Sequence, residues 1–212
     1  MVIRLQGFDR GVFGGNFHTH NSLAHVPPGI DVVCYSNGVD YVKGMRHAVH
    51  QAKHAGRVVM VVDCTHQLNL RHLLENKDRG WEFPYPVQTG DPHDDLLEFD
   101  TVHRYSAANA SGNKANTAVI SYGNGVVTSL QARHRLVERG VLGGPSQLDV
   151  IDCPYLSDVP DSLEEILKDY DQVVFADICK EGPGSNVFPS MITTLQQRNA
   201  LPSDWSFVGA PR

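Results

Sequence analysis

Apolar residues recur along this chain in short runs that alternate with amphipathic segments. Residues 2–5 are a short apolar run interrupted by Arg4 and predict a strand. A glycine-rich stretch (Gly7, Gly11, Gly14, Gly15) and the polar segment FHTHNS follow. Pro27, Pro28 and Gly29 then punctuate the chain ahead of IDVVCYS, where Ile30, Val32, Val33 and Tyr35 read as a buried strand. Asn37 and Gly38 turn the chain, and Asp40 is the expected cap of a helix over 40–55. Gly56 stops that helix, and RVVMVVD supplies the next strand over 58–62. Strand, helix and strand within about 35 residues make a βαβ unit with a parallel pair.

Residues 76–116 break the pattern. They hold Pro84, Pro86, Pro92, several Asp and Gly, and the tract SAANASGNKAN. The expectation is an interdomain linker with little regular structure, because so long an irregular loop is uncommon inside one compact domain. Alternation resumes afterwards. TAVISYG is a strand, and VVTSLQARHRLVERG a helix closed by Gly140. LDVIDC is a strand, and DSLEEILKDY a helix with Asp161 or Ser162 at its cap. QVVFAD is a strand, and VFPSMITTLQQR a helix with Pro189 in its first turn. WSFVGA is the last strand. The fold class is therefore α/β, with mostly parallel sheets flanked by helices. The expected division is residues 1–75, a linker at 76–116, and a second domain at 117–212.

Composition narrows the function classes. The chain has 212 residues, 41% hydrophobic and 20% charged, with 18 basic against 24 acidic residues and a formal net charge of −6. The basic residues are scattered, which argues against a nucleic-acid or acidic-lipid binder. No apolar run approaches the roughly 20 residues of a membrane span. The N-terminal residues lack signal-peptide and transit-peptide patterns, so a cytoplasmic protein, or a processed one in the mitochondrial matrix of a eukaryote, is expected. Cys34, Cys64, Cys153 and Cys179 lie far apart without a CxxC pair. They read as buried, reduced thiols, and no metal site is expected.

The candidate chemistry is sparse. His47, His50 and His54 share one face of the first helix at spacing i, i+3, i+7. At about 100° per residue, Val42, Met45, Ala48, Val49, Ala52 and Ala55 fall within a roughly 140° arc on the opposite side. The three histidines are therefore expected on the solvated face. His18 and His20 sit in a polar segment after a glycine-rich loop, where α/β folds place chemistry and a histidine can move a proton near neutral pH. EGPGSN opens a helix but fails the G-x-G-x-x-G spacing, so a tight connection is expected. Asp177, at a strand end, is open to a catalytic role or to the commoner capping or turn role. No G-x-S-x-G elbow is present.

Several segments together resemble the beta-type part of 2-oxo acid dehydrogenases, the decarboxylating first component of the pyruvate and branched-chain complexes. The likeness is closest to forms in which alpha and beta portions are fused. MVIRLQGF followed by GGNFHTHNS is similar to the family's strand, glycine-rich loop and histidine motif. HVPPGIDVVCYSNGVDYVKGMRHAV is similar to its P-G-[hydrophobic]-x-V-V-x-P-S segment and following helix. GWEFPYP is similar to a stretch before the domain junction of fused forms. VISYGNGVVTSLQARHRL and QVVFADICKEGPGSNV are similar to parts of the transketolase-type C-terminal domain. The order and spacing agree over nearly the whole chain.

The resemblance implies a partial pyrimidine-binding domain plus a transketolase C-terminal-like three-layer domain. It implies that His18 is catalytic, assisting acyl transfer to a lipoyl arm, and it carries no role onto His20. It implies thiamine diphosphate and magnesium in an intact enzyme. The activating glutamate lies upstream of the matched region, and the diphosphate–magnesium motif belongs to the alpha-type portion. The chain is thus expected to be a fragment, inactive alone, holding neither group tightly, with its cofactor-binding residues unidentified. The implied partners are the alpha-type portion, a lipoyl acyltransferase and further copies of the chain in a homo-oligomer, with no nucleic acid or membrane. Two rival expectations are a non-catalytic assembly and docking module and part of another thiamine enzyme related to transketolase or deoxyxylulose-phosphate synthase.

Overall fold

The computed structural model describes residues 1–7, 28–75, 77–107, 115–180 and 187–210. Three parallel strands, β1 (Val2–Gly7), β2 (Ile30–Val33) and β3 (Val58–Cys64), form the first sheet in the order β1-β3-β2. Successive side chains of a strand point to opposite faces, and both faces of β3 are used. Val59 and Val61 pack with Val33, Tyr35 and Ala48 under helix α1 (Gly38–His54). Val62 and Cys64 face the other way and join Val32 and Cys34 in a large core shared with the second sheet.

Helix α1 begins differently from expectation. Its cap is Asn37 and not Asp40: the Asn37 Oδ1 accepts from the Asp40 backbone N–H at 2.9 Å. Asn37 has the extended backbone that a capping residue needs. Asp40 sits in the first turn, where its charge faces the positive end of the helix dipole.

The buried face of α1 also departs from the apolar arc. Asp40, Gly44, His47 and Ala48 are buried, whereas Val49 is 41% exposed. His47 therefore does not lie on the solvated face with His50 and His54. Its ring meets the Phe99 ring edge-on, centroids 4.7 Å apart, and burial pushes its pKa down. Aromatic packing from a segment distant in sequence outweighs the local apolar stripe. His50 and His54 are exposed, with ring centroids 4.6 Å apart.

The second sheet has five strands in the order β4-β6-β5-β7-β8: β4 (His103–Tyr105), β5 (Thr117–Ser121), β6 (Leu148–Asp152), β7 (Gln172–Lys180) and β8 (Asp204–Ala210). Strands β5 to β8 are parallel, and β4 pairs antiparallel with β6 at the edge. Before β4 the chain makes one helical turn, α2 (Pro92–Asp95).

Helices cover both faces of this sheet. Val126, Val127 and Leu130 of α3 (Asn124–Glu138) pack on Val150. On the other face, α4 (Asp161–Leu167) and α5 (Phe188–Gln197) set Leu163, Leu167, Phe188 and Leu195 among Ile120, Ile151 and Phe175. Full burial of such side chains contributes about 2 kcal/mol each. Neither Asp161 nor Ser162 caps α4: Pro160 holds that position, and the Ser162 N–H donates to Asp100 Oδ1 at 3.1 Å.

The two sheets are stitched together along β2 by the residues after β6. Cys34 N–H donates to Pro154 O at 2.9 Å, and Leu156 N–H to Val32 O at 2.8 Å. The Ser157 hydroxyl accepts from Val32 N–H at 2.7 Å and donates to Ile30 O at 2.8 Å. This places the carboxyl ends of both sheets beside one another. Among the described residues no helix is long and apolar enough to cross a membrane.

Candidate functional site

The carboxyl ends of parallel strands are where α/β sheets leave a crevice for ligands. A cleft of about 380 Å³ opens at that end of the first sheet. Its floor is Tyr35, Ser36 and Asn37 after β2, with Asp63 and Cys64 at the end of β3. Tyr41 at the start of α1 forms one wall. The opposite wall is Trp81, Phe83 and Tyr85, from the GWEFPYP stretch. The prolines of that stretch disfavour helix, and Trp81 anchors it: its indole N–H donates to Ser36 O at 3.1 Å, and its ring meets Phe83 edge-on at 5.2 Å. Trp81 is buried, whereas Tyr85 is 72% exposed at the rim.

The cleft's two carboxylates are already engaged. Asp63 accepts from Arg4 Nε at 2.6 Å and from the Tyr41 hydroxyl at 2.9 Å. Burial and the bond to Asp63 push the Tyr41 pKa up to about 12. Glu82 pairs with Arg79 at 2.5 Å, and that bond holds its pKa down. Flat aromatic walls with neutralised acids suit a planar, weakly charged group better than an anion.

Behind the floor lies a cluster of titratable groups. Ser36 Oγ donates to Asp152 Oδ2. Asp152 is 1% exposed, and burial raises its pKa to about 7; Asp40 adds to the rise, while the Ser36 bond and His103 oppose it. Asn37 Nδ2 donates to Asp40 Oδ2 at 2.6 Å and to the Tyr105 hydroxyl at 3.3 Å. His103 Nε2 lies 3.2 Å from Asp40 Oδ2, and that contact raises the imidazole pKa against burial. The cluster joins α1, β4 and β6 and fixes the residues that form the cleft floor.

Of the residues singled out from sequence, His18 and His20 lie outside the described residues, as does EGPGSN. Asp177 takes the capping and turn role. Its carboxylate accepts from the Tyr122 hydroxyl at 2.7 Å, Cys179 N–H at 2.9 Å, Val187 N–H at 2.9 Å and Phe188 N–H at 3.2 Å. Sequence reasoning missed Trp81, Asp63, Ser36, Asp152 and His103. The one local signal was the clustering of aromatics and prolines in GWEFPYP; the other residues meet only through the fold.

The resemblance implies thiamine diphosphate and magnesium, and the donor set can be compared with that demand. Among the described residues no group of three or more His, Cys, Asp or Glu is placed to hold a metal ion. With Asp63 and Glu82 both paired, the described cleft does not fit the metal–diphosphate end of that cofactor.

No family model matches the sequence, and no curated protein matches it. Solved structures do match. A transketolase of Pichia stipitis in complex with sedoheptulose-7-phosphate is 14% identical with a TM-score of 0.51, and a histidine-to-phenylalanine mutant of that organism's transketolase is 13% identical with a TM-score of 0.50. Each match covers 100% of this chain and 25% of the transketolase, so the chain spans about a quarter of the length of these neighbours. At that identity the likeness concerns architecture. The chain has a transketolase-like α/β fold, with mainly parallel sheets flanked by helices.

Proposed function

We propose that this chain is part of a thiamine-diphosphate-dependent 2-oxo acid dehydrogenase, in which it supplies the later beta-type region. The observation that carries the reading is the joining, along β2, of two mainly parallel α/β sheets with their carboxyl ends side by side. The segments that resemble the dehydrogenase family run co-linearly along the same chain. Thiamine diphosphate supplies an electron sink for decarboxylating a 2-oxo acid. In this proposal its diphosphate, its metal and the acid that activates it are held by polypeptide of the alpha-type portion and the upstream beta-type region. This chain contributes the aromatic cleft, the second sheet as a subunit contact, and His18 as a proton-transferring group toward a lipoyl arm.

Proposed partners are the alpha-type portion, a lipoyl acyltransferase and further copies of the chain. The transketolase-like fold favours one second reading: part of a different thiamine enzyme of that fold, acting on sugar phosphates. An assay of 2-oxo acid decarboxylation with thiamine diphosphate and magnesium separates them. The proposal expects no turnover by this chain alone, and turnover of pyruvate or a branched-chain oxo acid once the remaining portions are supplied. Turnover by the chain alone, or ketol transfer between sugar phosphates by the completed protein, would contradict it.

A further inference from the structure

The crevice at the carboxyl ends of β5 and β7 is the switch point of the second sheet, since the chain leaves β5 toward β6 and returns to β7 on its other side. Here that crevice is filled by two thiols from the first sheet. Cys34 follows β2, and Cys64 closes β3. Their sulfurs lie 3.5 Å apart. Gly123, at the turn between β5 and α3, has a φ of +52° and presses its backbone on the pair. A Cβ there would lie 2.5 Å from Cys64 Sγ and 2.8 Å from Cys34 Sγ. The other two cysteines have different surroundings: Cys153 Sγ lies 3.8 Å from Tyr155 O, and Cys179 Sγ 3.5 Å from the Tyr122 hydroxyl.

We propose that Cys34 and Cys64 are a redox modification site, oxidised by small peroxides to a reversible intramolecular disulfide. The two thiols differ in access. Cys64 lines the cleft and is 7% exposed, which makes it the more accessible of the two to a small oxidant. Cys34 sits behind it, fully buried, where burial and the neighbouring Cys64 keep its thiol protonated. The roles divide accordingly. Cys64 is oxidised first: an S–O bond forms, the peroxide O–O bond breaks, and water leaves, giving the sulfenic acid. Cys34 sulfur then attacks Cys64 sulfur. The S–S bond forms as the S–O bond breaks, and the Cys34 proton departs with the hydroxyl as a second water. Two thiols thus lose two hydrogens and two electrons, and one hydrogen peroxide becomes two waters.

Closure requires the sulfurs to move from 3.5 Å to about 2.05 Å. Both sulfurs sit at strand ends. Cys34 lies past the last ladder residue of β2, and its N–H is bonded to Pro154 O. Cys64 passes directly into a single 3-10 turn, Thr65–Gln67. That turn also couples the pair to the cleft, because Gln67 lines it and donates to Gly123 O at 3.4 Å.

The test treats the reduced full chain with hydrogen peroxide under native conditions, alkylates the remaining thiols after denaturation, and maps the peptides by mass spectrometry. The expected result is two alkylated cysteines instead of four, a cross-linked peptide joining Cys34 to Cys64, and recovery of all four thiols with dithiothreitol. Cys34→Ser should abolish the bridge and drive Cys64 on to the sulfinic acid, whereas Cys153→Ser should leave the bridge unchanged. The map of the unaltered chain decides the matter even where a variant folds poorly. Four free thiols after treatment, a bridge through Cys153 or Cys179, or sulfinic Cys64 without a cross-link would overturn the proposal.

Discussion

The Ser36 hydroxyl donates to the Asp152 carboxylate, and this bond ties the residue before the cap of α1 to the end of β6. Ser36 lies between β2 and α1 and Asp152 at the end of β6, and both are almost wholly buried. Asp152 Oδ1 has no hydrogen-bond partner among the described residues. The carboxyl is therefore held in a nearly dry site with one donor, and ionising it there is costly.

That site makes stability depend on pH in a defined direction. The folded-state pKa of Asp152 is raised to about 7, chiefly by burial. Between about pH 4 and about pH 7 the folded chain keeps a proton that the unfolded chain releases, so this group's contribution falls as pH rises. His103 works in the same sense: its pKa is raised by Asp40, so its stabilisation is complete below the unfolded value and lost as pH rises through the folded one. Asp152→Asn keeps an acceptor for Ser36 and removes the ionisation. Relative to wild type the variant should gain up to about 4 kcal/mol across that window. Urea unfolding at a series of pH values measures it, and parallel profiles for the two proteins would show that Asp152 does not titrate there.

Gly44 is required by Tyr35. A Cβ at Gly44 would overlap the Cζ and hydroxyl of the Tyr35 ring. Tyr35 is 5% exposed, so the ring cannot swing into solvent. In an exposed helix Gly→Ala stabilises by about 1 kcal/mol. Here Gly44→Ala should instead destabilise by about 2 kcal/mol through overpacking, read as a lower denaturant midpoint with an unchanged slope.

The Asp177 carboxylate holds the turn into α5. Replacing it by Ala would leave the Tyr122 hydroxyl and three backbone N–H groups without their acceptor. Asp177→Ala should cost about 3 kcal/mol and speed amide exchange at Val187 and Phe188 ahead of the rest of α5. Unchanged exchange there would mean that the cap is dispensable.

Much of the architecture was legible because each core strand carries its own signal. TAVIS and LDVID are short apolar runs bounded by polar or glycine residues, and each becomes a strand, β5 and β6. What failed depends on distant partners. The apolar stripe of α1 pointed away from His47, but Phe99 covers that histidine. Asp40 looked like a cap, yet Asn37 reaches its N–H first. Strand β4 has no apolar run and exists through pairing with β6. The cleft's aromatic wall was legible only as GWEFPYP, read as similar to a stretch before the domain junction of fused forms and given no role in a site. The cleft floor depends on Ser36 meeting Asp152 and Trp81 meeting Ser36, contacts that no local pattern announces.

We propose above that this chain serves a thiamine site completed by other polypeptide. Calorimetric titration of thiamine diphosphate with magnesium tests it directly, first into this chain and then into this chain joined to the alpha-type portion and the upstream beta-type region. Saturable binding only in the second case is the predicted result. Equal binding in both, or none in either, would contradict the account.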